Sequence, residues 1–584
     1  MRTTLFRLLI VTLLTGVGLV PTAVGEKGTV SAAAPRKSSS TAARVPLLTD
    51  PFLQLPTTQS VRVIWFTEFE GSSHWVSLGE MPDRPFYAKT SAMSRLREDH
   101  QSWYGRGLKP GEFYTSVEKR RVYRHEAVVT GLKQNRRYRY EVTSVREDGA
   151  IAHSGPWSLA ATPHKKQPLK ILLTSDIQLK PMAPANFQRV VQTVSDTLDA
   201  VFIAGDLVNI PDRGTEWFDD SRGLAFFPVL QGNAFFDLEK NGTVTRYTGG
   251  EIIQHAPVFT ALGNHEVMGI TGLQSLGREF NSPRPAFLAG KLYGEATDSN
   301  SYNTTTYEEI FTLPESPEGH KRYYACTFGD IRLISLMVTR IWRRGYDNNQ
   351  KSTTRYQEAR ADYADSSRWG YGSFIFEPIK RGSPQFRWLE KELDSKEYKE
   401  ATYKIVMFHH QHHSLGSNAV PAFTDPVQNV AMSDDTIRSI TYEYPLEKDY
   451  IARDVIPSLE EAGVHLVLNG HSHLWNRYRS ESGMHFLETS NVGNSYGAYI
   501  KSPRSGLPPD LLFAETYVAK GNPYGLDPIM PTIAPVEGKP YITSNDLTVF
   551  SVLDTRKGSV ASYYFNTKKP ESEVVKFDEF ILGH

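Results

Sequence analysis

A chain of 584 residues exceeds what a single hydrophobic core ordinarily fills, so two or more domains are expected. With 65 basic against 65 acidic residues, 40% apolar and 22% charged, it lacks the basic footprint that phosphate-backbone binding requires, and no specific nucleic-acid partner is inferred. Cys326 is the only cysteine, which excludes an intramolecular disulfide and reads as a small buried hydrophobe in a strand-like segment.

Arg2 and Arg7 precede an apolar run from Leu8 to Val20, and small residues follow at Ala23 to Gly25. This is the layout of a secretory signal peptide over residues 1–25, which makes a secreted or periplasmic protein the expectation. The run is short for a membrane span, so none is expected beyond the signal peptide; an uncleaved anchor is the alternative. No cysteine lies near it to carry a lipid. Residues 26–44, rich in Ala, Ser, Lys and Gly without periodicity, read as a flexible linker.

From 45 to 163 the text is β-like, with alternation and β-branched content in Ser60 to Thr67, Ala127 to Val129 and Arg137 to Val142. Short strands between turn-forming residues predict an all-β sandwich. Trp65 on an early strand, with Leu132 followed by Tyr138 and Tyr140, resembles a fibronectin type III module and its tyrosine corner.

After Pro168 strands and helices alternate, and a second domain is expected over 168–584. Phe187, Val190, Val191 and Val194 share one face of a helix predicted from Pro184 to Asp196. The β-α-β order around it predicts a parallel strand pair. Tyr323 to Phe328 and Ile331 to Val338 read as a hairpin; Pro384 to Leu393 and Asp454 to Ala462 read as helices. The stretches near 212–255, 281–320, 341–383, 414–450 and 498–543 read as long loops, and the tail returns to strand character at Leu547 to Leu553 and Ser559 to Phe565.

Five of the apolar runs end in polar donors: Ile171 to Asp176, Ala200 to Asp206, Val258 to Glu266, Ile405 to His410 and Val464 to His473. Strand ends of this kind gather donors at one edge of an α/β sheet, where such folds bind ligands. Asp, Asn and His without Cys form a borderline-hard set suited to two divalent or trivalent ions, Fe, Mn or Zn. Two close cations favour a bridging carboxylate, for which Asp206 is the candidate. His471 and His473 both reach such a site if the chain turns there, and Gly470 permits a turn.

The ordered series Asp176, Gly205-Asp206, Gly263-Asn264-His265-Glu266, Val406 to His409 and Gly470-His471 to His473 resembles the calcineurin-like metallophosphoesterase superfamily. With the β-rich front end it is most similar to the purple acid phosphatase branch. The resemblance implies an α/β fold, an αββα two-sheet sandwich with mixed sheets. It implies one ion held by Asp176, Asp206 and His473, and another held by Asp206, Asn264, His409 and His471. His265 would orient the phosphate and protonate the leaving oxygen. The implied activity is hydrolysis of a phosphate ester, monoester or diester, by a metal-bound hydroxide.

Two positions depart from the pattern. Asn209 stands where the purple acid phosphatases place a tyrosine, and Gln178 stands where the wider superfamily often has a histidine. Gln178 either ligates the first metal through its carbonyl oxygen or hydrogen-bonds a ligand. The alternative to an enzyme is a secreted binding protein with a catalytically inactive metal domain. His410, His412 and His413 line a substrate pocket or belong to a solvated loop. Arg340, Arg343 and Arg344 pair with an acidic substrate group or form a solvated face. Asn241 and Asn303 begin glycosylation patterns.

Overall fold

The structure, a computed structural model, describes residues 45–103, 112–194, 198–339, 341, 357–370, 377–418, 420–498 and 525–583. The signal-peptide and linker segments, and Arg340, Arg343 and Arg344, lie outside the described residues. Ala43–His584 forms one compact unit.

Its front part is all antiparallel, with strand order Phe52–Gln54, Ser60–Thr67, Tyr123–Thr130, Met81–Ala92, Ser73–Leu78, Arg137–Val145 and Ile151–Ala160. Side chains alternate in and out along Arg137–Val145, as a sheet with one buried face requires. The long strand Met81–Ala92 pairs with Ser73–Leu78 at one end and Tyr123–Thr130 at the other. Both halves therefore close on one core of Val61, Val63, Trp65, Val76, Tyr140 and Val142. The Lys133 N–H donates to the Tyr138 hydroxyl at 3.0 Å, the bond a tyrosine corner makes.

Two mixed sheets build the remainder. The first runs Val258–Thr260, Ala200–Ile203, Lys170–Thr174, Leu547–Asp554, Ser559–Asn566 and Val575–Ile581. Its first three strands are parallel, and the tail strands join antiparallel. The second runs Tyr324–Phe328, Ile331–Ser335, Tyr403–His410, Leu466–Gly470, His485–Thr489, Trp475–Arg479 and Tyr541–Ile542. Alternation then sorts the side chains of Tyr403–His410: Ile405 and Met407 face the core shared with the first sheet, whereas Val406 and Phe408 face a second core. Helices Pro384–Leu393 and Ile456–Glu461 fill that second core with Phe386, Leu389 and Leu459. Helix Ala183–Thr193 covers the first sheet with Phe187 and Val190, completing a helix-sheet-sheet-helix stack.

The predicted helices appear within a few residues, with one difference in facing: Val191 is exposed, so the buried stripe of its helix is narrower than its spacing suggests. The segments read as loops hold local structure of their own. Phe236–Lys240 pairs with Thr243–Tyr247, and Val427–Ser433 with Thr436–Glu443. These hairpins lie outside the two main sheets, so much of their surface faces solvent and no dense apolar run announces them. Asn241 is exposed at the tip of the first hairpin, whereas Asn303 is buried with its amide donating to the Asp298 carbonyl. Among the described residues no helix is long and apolar enough to cross a membrane. The front sheet joins the larger core through Phe52, whose ring centroid is 5.1 Å from that of Phe227.

Candidate metal centre

Four parallel strands, Lys170–Thr174, Ala200–Ile203, Val258–Thr260 and Leu466–Gly470, deliver polar side chains just past their carboxyl ends, Tyr403–His410 ends on His409 and His410, and the backbone turns sharply at several of these points. Asp176, Asp206, His471 and His473 accordingly sit at φ of 58°, 55°, 82° and 56°. Non-glycine residues in this region cost on the order of 1 kcal/mol or more each, and such residues concentrate at functional sites. The turns brace one another: Asp176 N–H donates to the Gly205 carbonyl at 3.0 Å, and His471 N–H to Asp176 Oδ2 at 2.9 Å. Gly205 has φ +93°, and a Cβ there would stand 2.8 Å from Gly263 and 2.9 Å from His409 Nδ1. Gly470 serves differently from the expectation. His471 and His473 carry the turn themselves, and the missing Cβ of Gly470 makes room for the Asp176 carboxylate and the His409 ring.

The donor atoms converge. His409 Nε2 is 3.1 Å from Asp206 Oδ2 and 3.1 Å from Asn264 Oδ1. His471 Nδ1 also lies 3.1 Å from Asn264 Oδ1. His473 Nε2 stands 3.2 Å from Asp176 Oδ1, off the line of a hydrogen bond, and that buried oxygen has no hydrogen-bond partner. Ligand atoms of Asp176, Asp206 and His409 lie within 4.8 Å of one another.

Cations fit this arrangement. His409 Nδ1 is 2.8 Å from the Ala204 carbonyl, which only accepts, so in neutral His409 the Nε2 lone pair faces two oxygens. Like electron density held this close calls for a positive charge between. Ligands at right angles around an octahedral ion, with bonds of about 2.1–2.2 Å, stand about 3.0–3.1 Å apart, which is the spacing seen here.

The electrostatics agree. Burial alone would raise the carboxyl of Asp206, but the His409 imidazole and its neighbours hold it well below the usual range. Burial opposes ionisation of Asp176 as well, yet His473 and His409 bring it down to about 2. His409 is depressed by burial and more than restored by Asp206 and Asp176, to about 9. His471 and His473 are pushed down to about 3 and about 4, chiefly by burial. Ring nitrogens that stay unprotonated at neutral pH are available to metals. Lys180, buried with no hydrogen-bond partner for its ammonium, is pushed by burial down to about 8.

The structure thus brings Asp176, Asp206, Asn264, His409, His471 and His473 to one place. Gln178 reaches it through its amide, whose Nε2 donates to Asp206 Oδ2 at 3.3 Å. His265 is half-buried beside it, with Nδ1 2.7 Å from the backbone carbonyl of Asn209. Asn209 itself turns away, donating to the Gln178 carbonyl at 3.0 Å.

Two contributors escaped the sequence reading. His410, expected in a pocket lining or a solvated loop, has its Nε2 3.1 Å from Asn264 Oδ1, inside the cluster. The signal was the histidine doublet at a strand end. Glu266, to which the motif assigns no role, accepts the backbone N–H groups of Asp206, Leu207 and Gly263 on its carboxylate. His412 and His413 are not in a solvated loop: they are buried, with His413 packed on Phe486 at 4.5 Å between centroids. Both rings pack against Phe486 on the second sheet and against each other.

The family profile for calcineurin-like phosphoesterases matches residues 169–474, just over half of the chain of 584. The chain is similar in structure to purple acid phosphatase PPD1 from yellow lupin (Lupinus luteus) seeds, at 15% identity and TM-score 0.48, covering 91% of this chain and 73% of that one. A second similar structure is GAP50, the anchor in the inner membrane complex of Plasmodium, at 13% identity and TM-score 0.28, covering 71% of this chain and 89% of that one. No curated protein matches the sequence significantly.

Proposed function

Because the chain belongs to the calcineurin-like phosphoesterase family, we propose that it is a dinuclear metal-dependent hydrolase of phosphate mono- or diesters. The observation that carries this reading is the convergence of buried Asp and His donors with the half-buried Asn264 about Asp206, at the spacing of ligands around shared ions. Asp176, Asp206 and His473 would hold one ion, and Asp206, Asn264, His409 and His471 the other. Two such cations supply Lewis-acid charge for the phosphoryl oxygens and lower the pKa of a coordinated water.

The protein's own groups do the rest. Glu266 and the His265 N–H hold the Asp206 backbone and carboxylate in register. A backbone carbonyl only accepts, so His265 Nδ1 carries a proton toward Asn209, and Nε2 is the nitrogen that exchanges one. In the proposed reaction water adds to phosphorus and releases a proton to solvent, the ester P–O bond breaks, and His265 gives its Nε2 proton to the departing oxygen and regains one from solvent. No covalent protein adduct is required. The amide of Gln178 supports the bridge by donating to Asp206 Oδ2. Export is part of the proposal, on the strength of the signal-peptide pattern in residues 1–25.

Metal analysis of the purified protein, combined with hydrolysis of aryl phosphate mono- and diesters, tests the reading. About two equivalents of metal and turnover abolished by His471→Ala are expected. Metal bound without turnover of either ester class would overturn the catalytic reading in favour of a binding protein.

A further inference from the structure

Strand geometry makes a sharp statement about His410. Along Tyr403–His410 alternate residues face opposite cores, so strict alternation would send His409 toward the first sheet with Met407, and His410 toward the helices with Phe408. The pairing with Leu466–Gly470 instead shifts register between Met407 and His410. An irregularity of this kind inserts a kink and re-aims the residues beyond it. The His410 ring therefore sits with its centroid 5.2 Å from that of His409 and 4.4 Å from that of His471. Its Nε2 reaches the same Asn264 oxygen as His409 Nε2 and His471 Nδ1, each at 3.1 Å. The residue is 1% exposed, so solvent does not account for the placement. An amide oxygen has two lone pairs, and three imidazole nitrogens crowding it exceed what hydrogen bonding to Asn264 alone satisfies.

We propose that His410 is a further ligand of the ion held by Asn264, His409 and His471. The inference rests on the dinuclear reading and adds a nitrogen donor to it. It makes the two sites chemically unequal: Asp176, Asp206 and His473 offer mostly oxygen, whereas the second site gathers three imidazoles. The nitrogen-rich site favours zinc or another borderline ion, and the carboxylate-rich site a harder one.

The test uses the full chain, stripped of metal and titrated with zinc by calorimetry, with X-ray absorption counting imidazoles per zinc in the loaded protein. Wild type is expected to take two equivalents. His410→Ala is expected to weaken one of them by about 100-fold and, with both zinc ions loaded, to lower the average from about two imidazoles per zinc to about one and a half. His410→Gln serves the same test where alanine unfolds the chain, and His412→Ala is expected to leave both equivalents intact. Two equivalents at wild-type affinity and an unchanged imidazole count in the His410 variants would overturn the proposal while leaving the dinuclear reading standing. Fewer than two equivalents in wild type would remove both.

Discussion

The Glu266 carboxylate accepts the backbone N–H of Asp206 at 2.8 Å, across 60 positions of sequence. The same carboxylate takes the N–H groups of Leu207 and Gly263 at 2.7 and 2.8 Å, so one buried side chain ties together the turns that follow two neighbouring strands. Burial, with the Asp206 charge close by, pushes Glu266 up to about 8. Three backbone donors are therefore its principal compensation for leaving water.

Glu266→Gln keeps the volume but turns an NH2 group toward at least one of those N–H donors. A loss of roughly 1–3 kcal/mol in stability is expected from the unsatisfied buried group. Metal affinity should fall about 10- to 100-fold because the Asp206 turn is no longer held. Urea denaturation together with metal titration checks both; wild-type metal affinity would remove the positioning role.

His265→Ala should separate chemistry from metal binding. Its ring holds to the Asn209 carbonyl, and the proposed metal ligands do not include it. The expected result is a fall in kcat of about 10²- to 10⁴-fold with two equivalents of metal retained. The loss should be smaller for esters with good leaving groups, which need little protonation, and a series of aryl phosphates measures this.

Gly205→Ala places a methyl group 2.8 Å from Gly263 and 2.9 Å from His409 Nδ1, at a φ of +93°. Strain and overpacking together should cost about 2–4 kcal/mol. Displacement of His409 from the Ala204 carbonyl should also weaken metal binding, so thermal melts with and without added metal should differ less for the variant than for wild type.

Acid should loosen the front sheet through His125. Its ring lies between the hydroxyls of Thr67 and Thr90 at 2.8 and 2.9 Å and stacks on His74 at 3.7 Å between centroids. Burial, with the charges of His74 and Arg124, pushes its pKa down to about 2. An unfolded histidine titrates near 6.5, so below that pH the unfolded chain binds a proton that the folded one does not. Stability from this group is complete above about pH 6.5 and falls as the pH drops, by roughly 2 kcal/mol at pH 5. Urea midpoints at pH 7 and pH 5 should diverge less in His125→Gln than in wild type; an equal divergence would assign the acid sensitivity elsewhere.

Much of this protein is written locally. The alternation of Arg137–Val145, the tyrosine that closes its corner, and the abrupt passage from apolar strand to Asp176, Asp206 or His409 all depend on neighbours within a few residues. The apolar runs therefore gave the positions of the polar strand ends, and the two-sheet architecture followed from the family resemblance that their order carries. The exposed hairpins Phe236–Lys240 with Thr243–Tyr247 and Val427–Ser433 with Thr436–Glu443 escaped, because with much of their surface in water they need no dense apolar pattern.

The tertiary structure alone decided how the donors divide. Whether His410 faces the helices or Asn264 depends on a register shift against Leu466–Gly470; the histidine doublet marks the strand end but does not say which way the second ring points. Glu266 acquires its work only when the Asp206 turn is brought alongside. Side-chain chemistry and strand polarity are properties of short segments and survive in the text of the chain. Register and convergence belong to pairs of segments, and they exist only once the sheets have formed.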